Sequence, residues 1–275
     1  MSGSAPGSTV GQEPETVVVP AAGEPDVEAP ASARRRRPWA GYAVMPVLLG
    51  LACLLLLLWL RSKELDSIEQ RLVNADRIRN GVIDHVKLTV VSTFFVILVA
   101  VPLGILLTRT FARWVTPVVV GLANIGQMVP SIGVLVILAL TWTIGFRPAV
   151  VALVAYAVLP VLRNTMVGLQ QVDRSVIEAG RGMGMTKRRV LTRIELPLAV
   201  PVILAGVRTA LVINVGAATL ATFVNAGGLG DIISGGLSTS RNTVIVTGAV
   251  LTAVLALFVD WVGGIVEDLL RPKGL

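Results

Sequence analysis

The apolar residues of this chain are gathered into long unbroken blocks, and that arrangement limits its fold more than any other feature. Residues 41–60 read GYAVMPVLLGLACLLLLLWL, without one charge. Blocks of similar length recur at 87–107, 116–140, 149–167, 198–223 and 243–266. A helix needs about 20 apolar residues to cross a bilayer, whereas a soluble amphipathic helix interrupts such runs with polar positions every turn. With 54% hydrophobic and 15% charged residues, the chain is too apolar for an ordinary soluble domain. Strands of a membrane barrel would alternate over about 10 residues, and that pattern is absent here. The sequence predicts an all-α membrane protein with about six transmembrane helices.

Charge sets the expected orientation. The segment 169–197 carries Arg174, Arg181, Lys187, Arg188, Arg189 and Arg193 against Asp173, Glu178 and Glu195. The segments 141–148 and 224–242 have only Arg147 and Arg241 as basic residues. Lys and Arg collect on the cytoplasmic side, which puts 169–197 inside and both termini cytoplasmic. The segment 61–87 departs from the rule, with six basic residues among five acidic ones. Residues 1–38, rich in Pro, Ala, Gly, Ser and Glu and ending in Arg34–Arg37, are expected to be a disordered cytoplasmic tail. Residues 41–60 are the expected first transmembrane helix, retained because no small-residue cleavage site follows Leu60. Residues 61–83 are expected to form an extracytoplasmic amphipathic linker. Pro102 and Gly104 are candidate kink points in the second span, and Pro130 is expected to bend the third.

Several chemistries are disfavoured. Cys53 is the single cysteine and His85 the single histidine, so neither an intrachain disulfide nor a Cys/His metal site can form. His85 is expected to be an interfacial residue at the start of a span. The net charge of +7 fits basic loops flanking membrane spans better than a nucleic-acid surface. No G-x4-G-K-[ST] phosphate loop occurs, so this chain is not expected to hydrolyse ATP or to be an enzyme.

The segment 169–197 is the most informative. It has helix-forming residues on both sides of Gly180, Gly182 and Gly184, which permit a sharp turn. Pro197 and Pro201 suit the beginning of the next span, where missing backbone donors cost least. Those properties describe a helix-turn-helix docking element or an ordinary cytoplasmic loop. The residues themselves go further. Residues 178–197 read EAGRGMGMTKRRVLTRIELP. This resembles the EAA loop of ABC importer permeases, EAA-x3-G-x9-I-x-L-P, with Glu178, Ala179, Gly184, Ile194, Leu196 and Pro197 in register. Gly180 stands where the second alanine is usual. The resemblance implies a MetI-like type I ABC importer permease core over residues 84–267. It also implies that this loop forms a coupling helix seated in a groove of a separate P-loop ATPase. Glu178 would then be a contact or turn-fixing residue, and Gly184 would make the bend. ATP and Mg would be used by that partner subunit, with no cofactor bound by this chain.

Other segments are similar to permeases for glycine betaine, choline, carnitine and related osmoprotectants. They are HVKLTVVSTFFVILVAVPLG at 85–104, QMVPS at 127–131, and NAGGLG at 225–230, where Asn225 replaces a glycine. The ending RPKGL at 271–275 is similar too. The resemblance implies a bacterial inner membrane location, a second permease subunit (the same chain or a related one), an extracytoplasmic solute-binding protein, and membrane lipid as surroundings. Import of a quaternary-ammonium osmolyte is the reading that follows. Its rivals are an ABC permease for methionine, another amino acid or another small solute, an ATPase-independent secondary transporter, and a membrane scaffold.

Polar residues inside spans either line a pathway or join helices. Asn124, Gln127 and Asn214 are the candidate pathway-lining residues, with both roles open. Arg208 is expected to snorkel to the cytoplasmic surface, Asp260 to pair with a loop arginine, and Trp142 and Trp261 to anchor span ends at the interface.

Overall fold

The computed structural model describes residues 39–270, with side chains described from Tyr42 onward. The expected tail at 1–38 and the basic ending at 271–275 lie outside the described residues. Every regular element among the described residues is helical. Helix α1 spans Trp39–Arg61, α2 Ser67–Leu72, α3 Ala75–Leu107, α4 Thr116–Met128, α5 Ser131–Thr141 and α6 Phe146–Gln170. Then come α7 Arg174–Gly182, α8 Lys187–Val190, α9 Leu196–Ala218, α10 Gly230–Ser238 and α11 Asn242–Leu270. Five helices are long and apolar enough to cross a membrane, and the bent pair α4–α5 makes up to a sixth.

Helix α6 is the centre, with α3 and α9 packed along it. In lipid there is no hydrophobic force between apolar helices, so close packing of small residues must hold them. The sequence supplies those residues at the crossings. A Cβ at Gly104 of α3 would lie 2.8 Å from Thr165 of α6, and one at Gly206 of α9 would lie 2.6 Å from Asn164 Cβ. Val96, Ala100, Ala157, Val161, Leu162 and Ala210 close the contact between them. Asn214 adds a polar tie: fully buried, its Nδ2 donates to Thr93 Oγ1 at 3.0 Å. Between the two roles open for it, this placement is the helix-joining one.

The structure refines the second span and the linker, and shows the bend expected at Pro130. Helix α3 is continuous from Ala75, twelve residues ahead of the expected apolar span, and runs through Pro102 and Gly104 without a break. The linker is therefore a short helix, α2, followed by the first turns of α3. Asp66 caps α2, accepting from the Ile68 and Glu69 N–H groups while Glu69 accepts from the Asp66 N–H. Asp66 also pairs with Arg241 at 2.6 Å, which gives part of that segment's unusual charge a structural use. The third span is sharper than a bend: α4 and α5 meet at 93° across Val129 and Pro130. Pro130, extended at φ −54° and ψ 124°, lacks the N–H that would continue the helix.

Arg208 does not simply snorkel, and Asp260 does not pair with a loop residue. The two meet each other across α9 and α11, at 2.5 and 2.6 Å, with Glu267 at 3.7 Å from the same guanidinium. Trp261 also has a bonding role, its indole N–H donating to the Tyr42 carbonyl at 3.1 Å. Together with Tyr42 Oη donating to Asp268 Oδ2 at 2.7 Å, it fastens α1 to α11. Trp142 is exposed at the end of α5, as an anchoring residue would be.

Candidate functional site

The loop between α6 and α9 is built by local rules. Asp173 starts α7 by accepting from the Ser175 N–H at 2.8 Å, an interaction that holds its carboxyl below the usual range. The helix stops through a Schellman turn. Met185 N–H reaches back to Gly180 O at 3.1 Å and Gly184 N–H to Arg181 O at 2.9 Å. That turn needs a left-handed residue, and Gly184 supplies it at φ +82°. Thr186 then caps α8, accepting from the Arg189 N–H at 3.3 Å. A π-helical turn over Leu191–Glu195 leads into α9. Such turns are rare and often functional; here the turn sets the direction in which α9 leaves the loop.

The sequence-predicted loop residues fall into two groups. Glu178 and Ala179 are exposed on α7, and Gly184 is exposed at the turn. Ile194 points inward against α7: a Cβ at Gly180 would lie 2.6 Å from Ile194 Cδ1. That contact explains why glycine is accommodated at 180. Leu196 and Pro197 are half-buried in the first turn of α9. Glu178 makes no hydrogen bond or ion pair among the described residues, whereas Glu195 is held by Arg109.

Glu195 is the residue that sequence reasoning missed. It is buried, and Arg109, just past the end of α3, grips it at 2.6 and 3.4 Å. Arg109 also donates to Ile105 O at 3.3 Å. The bidentate pair links the base of the loop to the end of α3. The available signal was a lone carboxylate between the motif's two apolar positions.

At the other end of α9 lies the segment 225–230. Asn225 is left-handed at φ 55°, and Gly227 and Gly228 follow at φ 79° and 107°. Asparagine tolerates this conformation better than most residues, which accounts for its standing in a glycine position. His85, expected at an interface, is fully buried beneath this segment, donating from Nε2 to Val215 O at 2.9 Å and accepting at Nδ1 from the Leu229 N–H at 3.2 Å. Those two bonds require the neutral ring with its proton on Nε2. A polar recess of about 360 Å³ opens beside it, with Arg71, Arg77, Asp84 and Asp231 among its walls.

The other two polar candidates lie between α4 and α6. Gln127 Nε2 donates to the Tyr156 carbonyl at 3.1 Å, and Asn124 Oδ1 accepts from Arg163 Nη2 at 2.5 Å. Both are half-buried. The structure thus brings Asn124 and Gln127 together on one face of α4 but places Asn214 apart from them.

A family model for the inner membrane component of binding-protein-dependent transport systems matches residues 100–272. The chain belongs to this family. Its curated relatives include the choline transport system permease protein OpuBB of Bacillus subtilis (strain 168), 41% identical over 192 residues, covering 70% of this chain and 88% of that one. The carnitine transport permease protein OpuCD of Listeria monocytogenes serotype 1/2a (strain 10403S) is 42% identical over 191 residues, covering 68% and 84%. The osmoprotectant import permease protein OsmW of Salmonella typhimurium (strain LT2) is 35% identical over 216 residues, covering 77% and 100%. Among solved structures, the inward-facing MetNI methionine ABC transporter matches at a TM-score of 0.65 and 28% identity, over 71% of this chain and 97% of that one. The permease thus has the MetI-like fold that its loop motif implied, in an all-helical membrane chain.

Proposed function

We propose that this permease is the pore-forming subunit of an ATP-driven importer for glycine betaine or another quaternary-ammonium osmolyte in the bacterial inner membrane. The observation that carries the substrate class is the 41–42% identity to permeases named for choline and carnitine, across more than two thirds of the chain. The coupling reading rests on the loop itself. It offers a carboxylate without a partner among the described residues, Glu178, on a short exposed helix set by the Gly184 turn, and its base is tied to α3 through Arg109 and Glu195. We assign to it the docking of a P-loop ATPase that supplies ATP and Mg chemistry. Two permease subunits, alike or related, would enclose the path, an extracytoplasmic binding protein would deliver the solute, and both termini would be cytoplasmic. Asn124 and Gln127 are assigned to the pathway wall. Glu178, Ala179, Gly180, Gly184, Ile194, Leu196 and Pro197 are assigned to the coupling loop.

The test is uptake of labelled glycine betaine at high osmolarity in cells lacking other osmolyte importers, with and without this permease. Uptake that needs both the permease and ATP supports the reading. Equal uptake in both strains, or uptake of methionine instead, overturns the substrate class. Copurification of the ATPase that survives Glu178→Arg would overturn the docking role of the loop.

A further inference from the structure

We infer that Arg163 recognises the carboxylate of a zwitterionic cargo, and so separates betaine-like and carnitine-like solutes from choline-like ones. The inference rests on the osmolyte-import reading above.

Arg163 lies seven residues before the end of α6, inside a helix that is otherwise apolar enough to span. It is exposed, as is Val167 one turn further along α6. A guanidinium facing lipid is costly, and intramembrane charges normally face a bundle interior or a water-filled space. The wall beside it has the second mark of a cavity. Helix α4, which supplies Asn124, breaks from α5 at 93° next to Pro130. Non-helical backbone at membrane depth is tolerated where it is buried in protein or lines a cavity. Helix α4 has no buried residue among the described ones, so its break is not closed over by this chain.

The charge of Arg163 is also unspent. The arginines at 109, 208 and 241 each hold a carboxylate at 2.5 to 2.6 Å. Among the described residues Arg163 has only the neutral amide oxygen of Asn124, which takes one Nη2 hydrogen and orients the fork. The remaining donors of a planar guanidinium match a carboxylate in two parallel bonds. Glycine betaine and carnitine carry a carboxylate beside their quaternary ammonium, and choline carries a hydroxyl instead. Arg163 is thus a cargo-contact residue of defined chemistry, with Asn124 as its positioning residue.

The test uses the whole importer in proteoliposomes, with its ATPase and a binding protein that delivers all three solutes. Uptake of labelled glycine betaine, carnitine and choline is compared for the wild type, Arg163→Gln and Arg163→Lys. The expected result is a loss of roughly tenfold or more for betaine and carnitine in Arg163→Gln, with choline falling less than threefold. Arg163→Lys keeps the charge without the fork and recovers part of the betaine uptake but not that of wild type. Equal losses for all three solutes in both variants, or no loss in either, overturn the inference. A wild type that carries none of the three defeats the osmolyte reading itself, a result distinct from unaltered selectivity.

Discussion

The permease makes two glycine turns, one at 183–186 and one at 225–230, and finishes them in opposite ways. At 225–230 the backbone is enclosed by its own chain. His85 holds the Leu229 N–H from below, and Gly230 sits so close to Thr219 that a Cβ would fall 2.0 Å from that residue's carbonyl oxygen. At 183–186 the turn is closed only by backbone bonds, and a Cβ at Gly184 would meet nothing within 4 Å. The first glycine is required by space and the second by conformation. A turn that needs space is already packed into the protein. A turn that needs only a left-handed backbone, with open surroundings and a Glu178 that has no partner among the described residues, is left free of packing by this chain's described part.

That contrast can be broken by measurement. Gly230→Ala should have the largest effect, about 3 kcal/mol or loss of folded protein, since backbone rather than a flexible side chain must move. Thermal unfolding in detergent tests it, and a near-native midpoint would show that the 225–230 turn is not tightly enclosed. His85→Leu should cost about 2 kcal/mol in the same assay, because it leaves the Leu229 N–H buried without its acceptor.

Arg109→Ala should come next, at about 1–2 kcal/mol. It strands the buried Glu195, but the partial exposure of Arg109 (31%) lessens the penalty. Because the pair joins the loop to α3, ATP-driven uptake should fall further than stability does; a matched fall in both would make the pair merely structural. Gly184→Ala should cost about 1 kcal/mol or less in stability, the strain of a left-handed alanine. Its larger effect should be on ATPase copurification, and an unaffected complex would erase the difference between the two turns.

Asp173 gives the smallest effect, and it depends on pH. Its carboxyl is held low in the folded protein by the Ser175 N–H. The cap therefore contributes above the ordinary carboxylate range, near pH 4, and is lost as pH falls through the lower folded value. Asp173→Asn should narrow the gap between unfolding midpoints at pH 6 and pH 3, which differential scanning reads directly.

The legible parts of the permease were those carried by neighbours in the chain. Apolar length marked the spans, Pro130 marked the break between α4 and α5, and the spacing from Glu178 to Pro197 marked the loop. Each of these acts over a few turns, so order along the chain suffices. The extension of α3 ahead of its apolar stretch was less legible. Charged residues at its start read as a linker, but a helix can run on past the apolar layer when its polar groups are satisfied by capping at Asn74.

What the sequence by itself determined is an all-helical membrane chain with a recognisable loop motif. Only the tertiary structure decided which polar residues meet. Arg109 and Glu195 are 86 positions apart, Arg208 and Asp260 52, and His85 and Leu229 144. A charge within an apolar span shows that a partner or water must exist, because an isolated charge in lipid is too costly. It does not show which one, since helix rotation and crossing angle choose the partner. Those are set by packing at Gly104 and Gly206, where the backbones come close enough to fix which faces turn inward. The same packing leaves Arg163 on the uncovered face of α6, with a charge that no carboxylate of the described chain neutralises.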